Sequence, residues 1–170
     1  MDKRDWTGMT PAPGDRIEAE GLCITCLAPE GATLVSGDLD AAIAHLAPGR
    51  PMLGLLGPLP EQGGFALRIA RDRALLCTAS PLGVEGWREG FAASAADDLY
   101  LALSVAGPRA GVLRSACLSA EAGSPSAAAL CVGTVALVAG EADGAGWRLW
   151  VPGPEAAAVW HRLGRLAVSL

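Results

Sequence analysis

The sequence predicts an α+β fold built from two similar halves. Residues 99–170 read strand, helix, strand, strand, helix, and the same order of elements recurs earlier in the chain. The apolar share of 51% is enough to fill the core of one domain of 170 residues. We therefore expect a flexible N-terminal arm at residues 1–15 and a single domain at 16–170. Its halves, about 16–95 and 96–170, are predicted to be ferredoxin-like or split βαβ units.

The first half opens with two predicted strands and a helix. The strands are GLCITCL and GATLVSG, and residues 29–31 between them are typical of a hairpin-like turn. Asp38 then stands where it would cap the N-terminus of a helix over 38–47. Apolar residues recur on one face of that helix, at Leu39, Ile43 and Leu46.

The rest of the first half is predicted to be a hairpin and a second helix. FALRIA and ALLCTAS flank a charged turn at residues 71–73. Pro81 suits the first turn of a helix over 82–92, because its missing N–H would be unpaired there anyway. The glycines at 83, 86 and 90 weaken this helix by roughly 1 kcal/mol each relative to alanine. We therefore expect packing of Val84, Trp87 and Phe91 to stabilise it.

The second half has the clearer local signals. Three apolar runs, LYLALSV, LCVGTVALVAG and WRLWVPG, predict strands, and helices are expected over 108–117 and 154–168. In the last helix one arc is apolar, at Ala156, Val159, Trp160, Leu163, Leu166, Ala167 and Leu170. The opposite arc holds His161, Arg162, Arg165 and Ser169, so this helix is predicted to lie on a sheet with one face in solvent.

Composition excludes several classes of function. The net charge is −5 and Lys3 is the one lysine, so the basic stripe that nucleic-acid binding needs is missing. No apolar run approaches the 18 residues typical of a membrane span. Because the N-terminus also lacks an apolar signal segment, we expect a cytoplasmic protein whose five cysteines are reduced.

Cys23 and Cys26 have the spacing of a redox or zinc motif. They lie in a β-branched run that reads as a strand, which would point their sulfurs to opposite faces. A zinc site needs further ligands, and no second pair with suitable spacing occurs in the sequence. Structural cysteines are therefore favoured, and no metal site is predicted.

The other polar candidates do not form a catalytic pattern either. His45 falls near the end of a short helix and His161 on the polar face of the last one. Asp97 and Asp98 are adjacent, face opposite ways in an extended chain, and suit a turn or cap better than an acid–base pair. The glycines at 54 and 57 and at 83, 86 and 90 match neither the dinucleotide nor the P-loop motif. No catalytic residue is predicted, and cofactor-binding residues are left unassigned.

Two segments suggest a surface for a partner. Trp147 and Trp150 are three residues apart on a predicted strand, so one ring should enter the core and the other should face outward. The segment Pro51–Pro60 is apolar although it contains the prolines and glycines typical of a loop. We hypothesise that both bind a partner or, in the isolated chain, a second copy; the alternative is that both pack on the domain's own core.

Four segments, in order, carry a resemblance to a known family. They are LVSGDLDAAIAHL, LRIARDRALLCTAS, LYLALSVAGPRAGVLRSACL, and ALCVGTVALVAG with WRLWVPGPEAAAVWHRL. By them the chain resembles the gamma-subunit family of heterotetrameric sarcosine oxidase. Through it, the chain is similar to the folate-binding N-terminal region of the glycine-cleavage aminomethyltransferase superfamily. It departs from the family pattern in LSAEAGSPSAAAL, which has Glu121 and Pro125 but no Pro-Gly pair, and in AADDLYLA, where the family has Asp-x-Ser-Asp.

The resemblance implies a non-catalytic, structural subunit of a bacterial oxidase of sarcosine or another N-methyl amino acid. FAD, FMN, NAD and tetrahydrofolate are implied for the complex, none of them bound by this chain, and the larger subunits are the implied partners. Two alternatives remain open. One is a stand-alone folate-binding or aminomethyltransferase-like protein, and the other is a homo-oligomer, most simply a dimer, that kept the fold without the partners.

Overall fold

The computed structural model describes residues 10–120 and 122–170 and confirms the α+β class. Residues 1–9 of the predicted arm, and Glu121, lie outside this range. Residues 10–15 precede the first strand and contact the domain: the Gly14 amide donates to the Cys26 carbonyl over 2.8 Å, and Pro11 is buried.

Two six-stranded sheets account for the strands of this part of the chain. In chain order the strands are β1 (Arg16–Ala19), β2 (Leu22–Cys26), β3 (Gly31–Gly37), β4 (Met52–Leu53), β5 (Phe65–Ala70), β6 (Arg73–Thr78), β7 (Gly86–Arg88), β8 (Phe91–Ala95), β9 (Tyr100–Ala106), β10 (Ala128–Cys131), β11 (Thr134–Gly140) and β12 (Trp147–Pro152). Sheet A has the order β1-β2-β9-β12-β11-β10, and sheet B has the order β4-β5-β6-β3-β8-β7. The first hairpin of the chain thus joins the sheet formed by its C-terminal half.

In the described part of the chain, three α-helices cover the outer faces of the sheets. They are α1 (Leu39–Leu46), α2 (Ala110–Cys117) and α3 (Ala156–Ser169), the last preceded by a 3₁₀ turn at Gly153–Glu155. These helices confirm the predictions for 38–47, 108–117 and 154–168. Asp38 caps α1 as expected, since its carboxylate accepts the Ala41 amide over 3.0 Å. None of these helices is long and apolar enough to cross a membrane.

Three clusters of buried side chains order the elements into four layers. One cluster joins α2 and α3 to sheet A, a second lies between the two sheets, and a third joins sheet B to α1. Sheet A is therefore buried on both faces, and so is the centre of sheet B. The layer order is helix, sheet, sheet, helix.

The helix predicted over 82–92 is wrong. This segment forms the antiparallel hairpin β7–β8, with Arg88 paired to Phe91. The physical reason is the three glycines: Gly83, Gly86 and Gly90 have φ angles of 63°, 98° and 83°, none compatible with a right-handed helix.

One predicted turn and one predicted strand are also corrected. Residues 29–31 do not close a hairpin, because β2 belongs to sheet A and β3 to sheet B, so this segment crosses between sheets. The run LCVGTVALVAG is not one strand but two, β10 and β11, joined at Val132 and Gly133. Both of these residues have positive φ, 43° and 86°, as a tight hairpin turn requires.

The connections around α1 and α2 differ in direction. β3 and β4 are parallel, with β6 and β5 between them, so β3–α1–β4 has the split βαβ arrangement. β9 and β10 are antiparallel, because three antiparallel pairings separate them. The split βαβ unit expected in both halves is therefore found in sheet B and not around α2.

In the two segments predicted to form a partner surface, the large apolar side chains are buried or half-buried. Trp147 and Trp150 do point to opposite faces of β12, but both faces are buried, leaving the rings 1% and 5% exposed. In the segment 51–60, Leu53, Leu55 and Leu59 are buried in the cores on the two faces of sheet A. The alternative, that both segments pack on the domain's own core, is confirmed.

Replacing Trp147 tests the double-sided burial of sheet A. Its indole N–H donates to the Ala110 carbonyl over 3.0 Å, which ties β12 to the start of α2. Trp147→Ala should lower the free energy of unfolding by about 3–5 kcal/mol, because it leaves a large cavity in the core. Trp87, on the edge strand β7, is 82% exposed, so Trp87→Ala should cost at most about 0.5 kcal/mol. Urea denaturation of both variants measures the difference, and similar costs would contradict the assigned burial.

A candidate ligand-binding cavity between the sheets

The structure contains a cavity of about 470 Å³ at one end of the sandwich, where strands from both sheets end. Sheet A contributes Arg148 of β12 and Glu141, which follows β11. Sheet B contributes Phe65 of β5 and Cys77 of β6, and the loop 59–63 closes one side. A volume of this size suits a small organic molecule, since pockets for such ligands span roughly 300–1,000 Å³.

The floor of the cavity is apolar and belongs to the core between the sheets. Leu59, Phe65 and Cys77 line it, and all three are at least 94% buried. The Phe65 ring meets the Trp150 ring edge to face, with the centroids 5.6 Å apart. This aromatic contact holds sheet B against sheet A directly beneath the cavity.

The rim is charged and organised around Arg148. Its Nε donates to Oε1 of Glu141 over 3.3 Å, and its Nη1 lies 3.8 Å from Oε1 of Glu30. Glu141 also accepts from the Ser104 hydroxyl, over 3.4 Å. The guanidinium carbon lies 5.9 Å from the centre of the Trp150 ring, so Arg148 packs beside this ring and joins β12 to the segments that carry Glu30 and Glu141.

Burial changes the acid–base properties of the groups around this cavity. Burial raises the pKa of the Cys77 thiol to about 12, the Glu30 carboxylate adds to the rise, and Arg148 opposes it. Tyr100, beside a smaller void that shares Glu30 and Cys77 with the main cavity, has its pKa raised by burial as well. Cys77 is therefore a protonated thiol at neutral pH and not a nucleophile. An apolar floor under a charged rim suits the binding of a small organic molecule.

The two cysteines of the CxxC spacing do not form a site. Cys26 is buried and Cys23 half-buried, on opposite faces of β2 as the alternation predicted. Burial, with the nearby Asp15 carboxylate, raises the pKa of Cys26. Cys23 contacts the Thr25 hydroxyl, with Sγ and Oγ1 3.5 Å apart.

A different pair of cysteines is close, and sequence reasoning missed it. Cys131 of β10 donates its thiol to the sulfur of Cys117, at the end of α2, over 3.8 Å. This hydrogen bond lowers the pKa of Cys117 and, together with burial, raises that of Cys131. Their separation of fourteen residues matches no motif, so only the packing of α2 on sheet A could show the pair.

The histidines and aspartates also lie apart from the cavity floor and rim. His45 on α1 and His161 on α3 belong to the two outer helical layers, on opposite sides of the molecule, and both are exposed. Asp97 accepts the Ala32 amide over 2.7 Å, which links the segment after β8 to β3. This structural role agrees with the turn or cap that we favoured for Asp97.

The rim residues were not found from the sequence. Glu30, Glu61, Glu141 and Arg148 come from four separate segments and share no motif. In the sequence, Arg148 stands out only as a charge inside the apolar strand WRLWVP. That position is the one signal that could have marked it, because a charge within a strand buried on both faces needs a partner.

Comparisons with known proteins bear on the fold. No protein-family model matches the chain, and no curated protein sequence matches it. Among solved structures, the chain is similar to a chain of the heterotetrameric sarcosine oxidase from Corynebacterium sp. U-96 in complex with pyrrole 2-carboxylate. The two share 15% identity and a TM-score of 0.70, over 89% of this chain and 87% of the other. The fold of this chain is therefore similar to that of a sarcosine oxidase chain over nearly its whole length.

Thiol reactivity tests the assigned burial of the cysteines. At pH 8 we expect Ellman's reagent to label one thiol per folded chain quickly, at half-buried Cys23, and all five after denaturation. A pKa of about 12 leaves only about one Cys77 in ten thousand as thiolate at that pH. Cys23→Ser should remove the fast phase. A fast phase that survives this substitution would contradict the assignment.

The Arg148 ion pairs should stabilise the fold measurably. Arg148 and Glu141 are 21% and 25% exposed, so Arg148→Met should lower the free energy of unfolding by about 1 kcal/mol at low salt. The cost should fall at about 1 M NaCl, because salt screens the repulsion left between the carboxylates. Arg71→Met, in the exposed β5–β6 turn, is the matched control and should cost little at either salt concentration. A cost of Arg148→Met that does not depend on salt would mean that lost packing, and not lost charge, is responsible.

Proposed function

We propose that this chain is a gamma-type, non-catalytic subunit of a heteromeric oxidase of sarcosine or a related N-methyl amino acid. Its role is structural, supporting the assembly of the flavin-bearing subunits. The observation that carries the proposal is the similarity to a sarcosine oxidase chain over 89% of one chain and 87% of the other. Because the two coverages are nearly equal, the matched chain is close to this one in length, which favours a small subunit. In this proposal the fold is that of the folate-binding region of the aminomethyltransferase superfamily.

The positions of the candidate catalytic residues support a structural role. Cys26 is buried in a core strand, and Asp97 accepts a hydrogen bond from a backbone amide. The two histidines lie in opposite outer layers. A nucleophile and its base must lie within hydrogen-bonding reach of each other, and these residues are distributed over separate parts of the fold. The flavin chemistry of the proposed complex is accordingly assigned to other subunits.

Purification from the native host tests the subunit proposal. A tagged copy of the chain should co-purify with larger chains in fixed stoichiometry, and the complex should show flavin absorbance and oxidise sarcosine or another N-methyl amino acid. The recombinant chain alone should be colourless and inactive. Stoichiometric flavin on the isolated chain, or turnover by it, would contradict the proposal. Recovery of the tagged chain without flavin-bearing partners would also contradict it.

A stand-alone folate-binding protein is the second candidate. The cavity favours it in one respect, because it places carboxylates beside an apolar floor that includes Phe65, and a carboxylate suits the donor edge of a pterin ring. Titration of the isolated chain with tetrahydrofolate distinguishes the two: saturable one-to-one binding supports the folate-binding protein. A homo-oligomer without partners, the third candidate, would appear in light scattering as a defined multiple of the 17.2 kDa chain.

A further inference from the structure

We propose that the cavity between the sheets binds a compact organic ammonium ion. The positive charge would lie at the rim carboxylates, and the apolar part of the ion would rest on the apolar floor formed by Leu59, Phe65 and Cys77. The proposal concerns the isolated chain and does not rest on its being an oxidase subunit.

The charge balance of the rim favours a cation. Of the residues that the structure describes, three carboxylates line the cavity, those of Glu30, Glu61 and Glu141, against one guanidinium, that of Arg148. Arg148 interacts with both Glu30 and Glu141, so its single positive charge offsets only one of these two negative charges, and Glu61 adds a third. The lining therefore carries a net charge of −2, which raises the local concentration of cations and repels anions.

The floor favours a cation that carries apolar groups. Phe65 is 6% exposed and Cys77 only 3%, and in the described chain the Cys77 sulfur makes no hydrogen bond although it lines the cavity. A ligand that places methyl or methylene groups here would bury apolar surface without leaving a polar group unpaired.

The same residues do not suit a bare metal ion. Among the residues that the structure describes, no three His, Cys, Asp or Glu side chains come together as metal ligands. The carboxylates are instead spread around the rim of a cavity of about 470 Å³, a volume far larger than a metal ion needs. An ammonium ion that carries methyl groups is much larger than a metal ion and can lie among separated carboxylates.

Choline and its neutral isostere 3,3-dimethylbutan-1-ol give a matched pair of probes. They have nearly the same shape and differ in the charge, so the ratio of their affinities isolates the electrostatic contribution. In calorimetric titrations of the full chain we expect choline to bind saturably, at least about tenfold more tightly than the isostere. Acetate, a small organic anion added as its sodium salt, should not compete.

Substitutions of glutamate locate the bound probe. Glu61 lies in an exposed loop, so Glu61→Gln should leave the fold intact while weakening choline binding by about threefold to fivefold. The double variant Glu30→Gln/Glu61→Gln should weaken it further. Glu85→Gln removes the same charge at an exposed position outside the cavity and should leave the affinity unchanged. Thermal melting of each variant checks that it is folded.

Several outcomes would overturn the proposal. Equal affinities for choline and the isostere would mean that the cavity does not recognise charge. Equal weakening by Glu61→Gln and Glu85→Gln would mean that the probe responds to the overall charge of the protein and not to this cavity. Competition by acetate, or no saturable binding of choline, would also overturn it.

Discussion

The burial of β12 on both faces is the constraint on which the rest of the structure depends. Trp147, Leu149 and Val151 pack toward α2 and α3, while Trp150 packs toward sheet B. A strand with large apolar side chains on both faces is stable only when each face is covered by another layer. The four-layer order follows from this requirement, and the first hairpin, β1–β2, completes sheet A by pairing with β9.

The cavity lies at the end of the sandwich, where the cover of sheet B over β12 ends. Arg148 is on the sheet B side of β12, next to Trp150, but its position at the end of the sandwich lets the guanidinium meet Glu141 and Glu30. The two sheets contact through Phe65 and Trp150, and beyond this contact they separate enough to leave a space lined by charges. The apolar floor of the cavity is thus the end of the core between the two sheets, and the charged rim lies where this core meets solvent.

This arrangement also changes where a partner could bind. The tryptophans of β12 and the leucines of 51–60 belong to the protein's own core, so they are not available to other proteins. The exposed large apolar side chains are instead distributed over several elements, among them Trp87 on β7, Val135 on β11 and Val168 on α3. A subunit role for this chain therefore does not require the surface that the sequence first indicated.

The local elements followed from the sequence where a short-range signal was sufficient. Asp38 caps α1, the apolar stripe of α3 is the face buried on sheet A, and the charged turn at 71–73 joins β5 to β6. The helix predicted over 82–92 was wrong. The spacing of the apolar residues favoured a helix, but Gly83, Gly86 and Gly90 adopt positive φ angles, and the segment forms a hairpin. In this segment backbone conformation, and not side-chain periodicity, determined the structure.

The sequence by itself determined the fold class, the three helices α1, α2 and α3 and most of the strands. These features depend on caps, turns and periodicity within about ten residues. The tertiary structure alone decided which strands share a sheet, since β2 and β3 are neighbours in the chain yet pair in different sheets. It also decided that the second face of β12 is buried, and it brought Glu30, Cys77, Glu141 and Arg148 to one cavity. These contacts join residues up to 118 positions apart, as between Glu30 and Arg148. Their formation depends on how whole layers pack, and no local pattern records that packing.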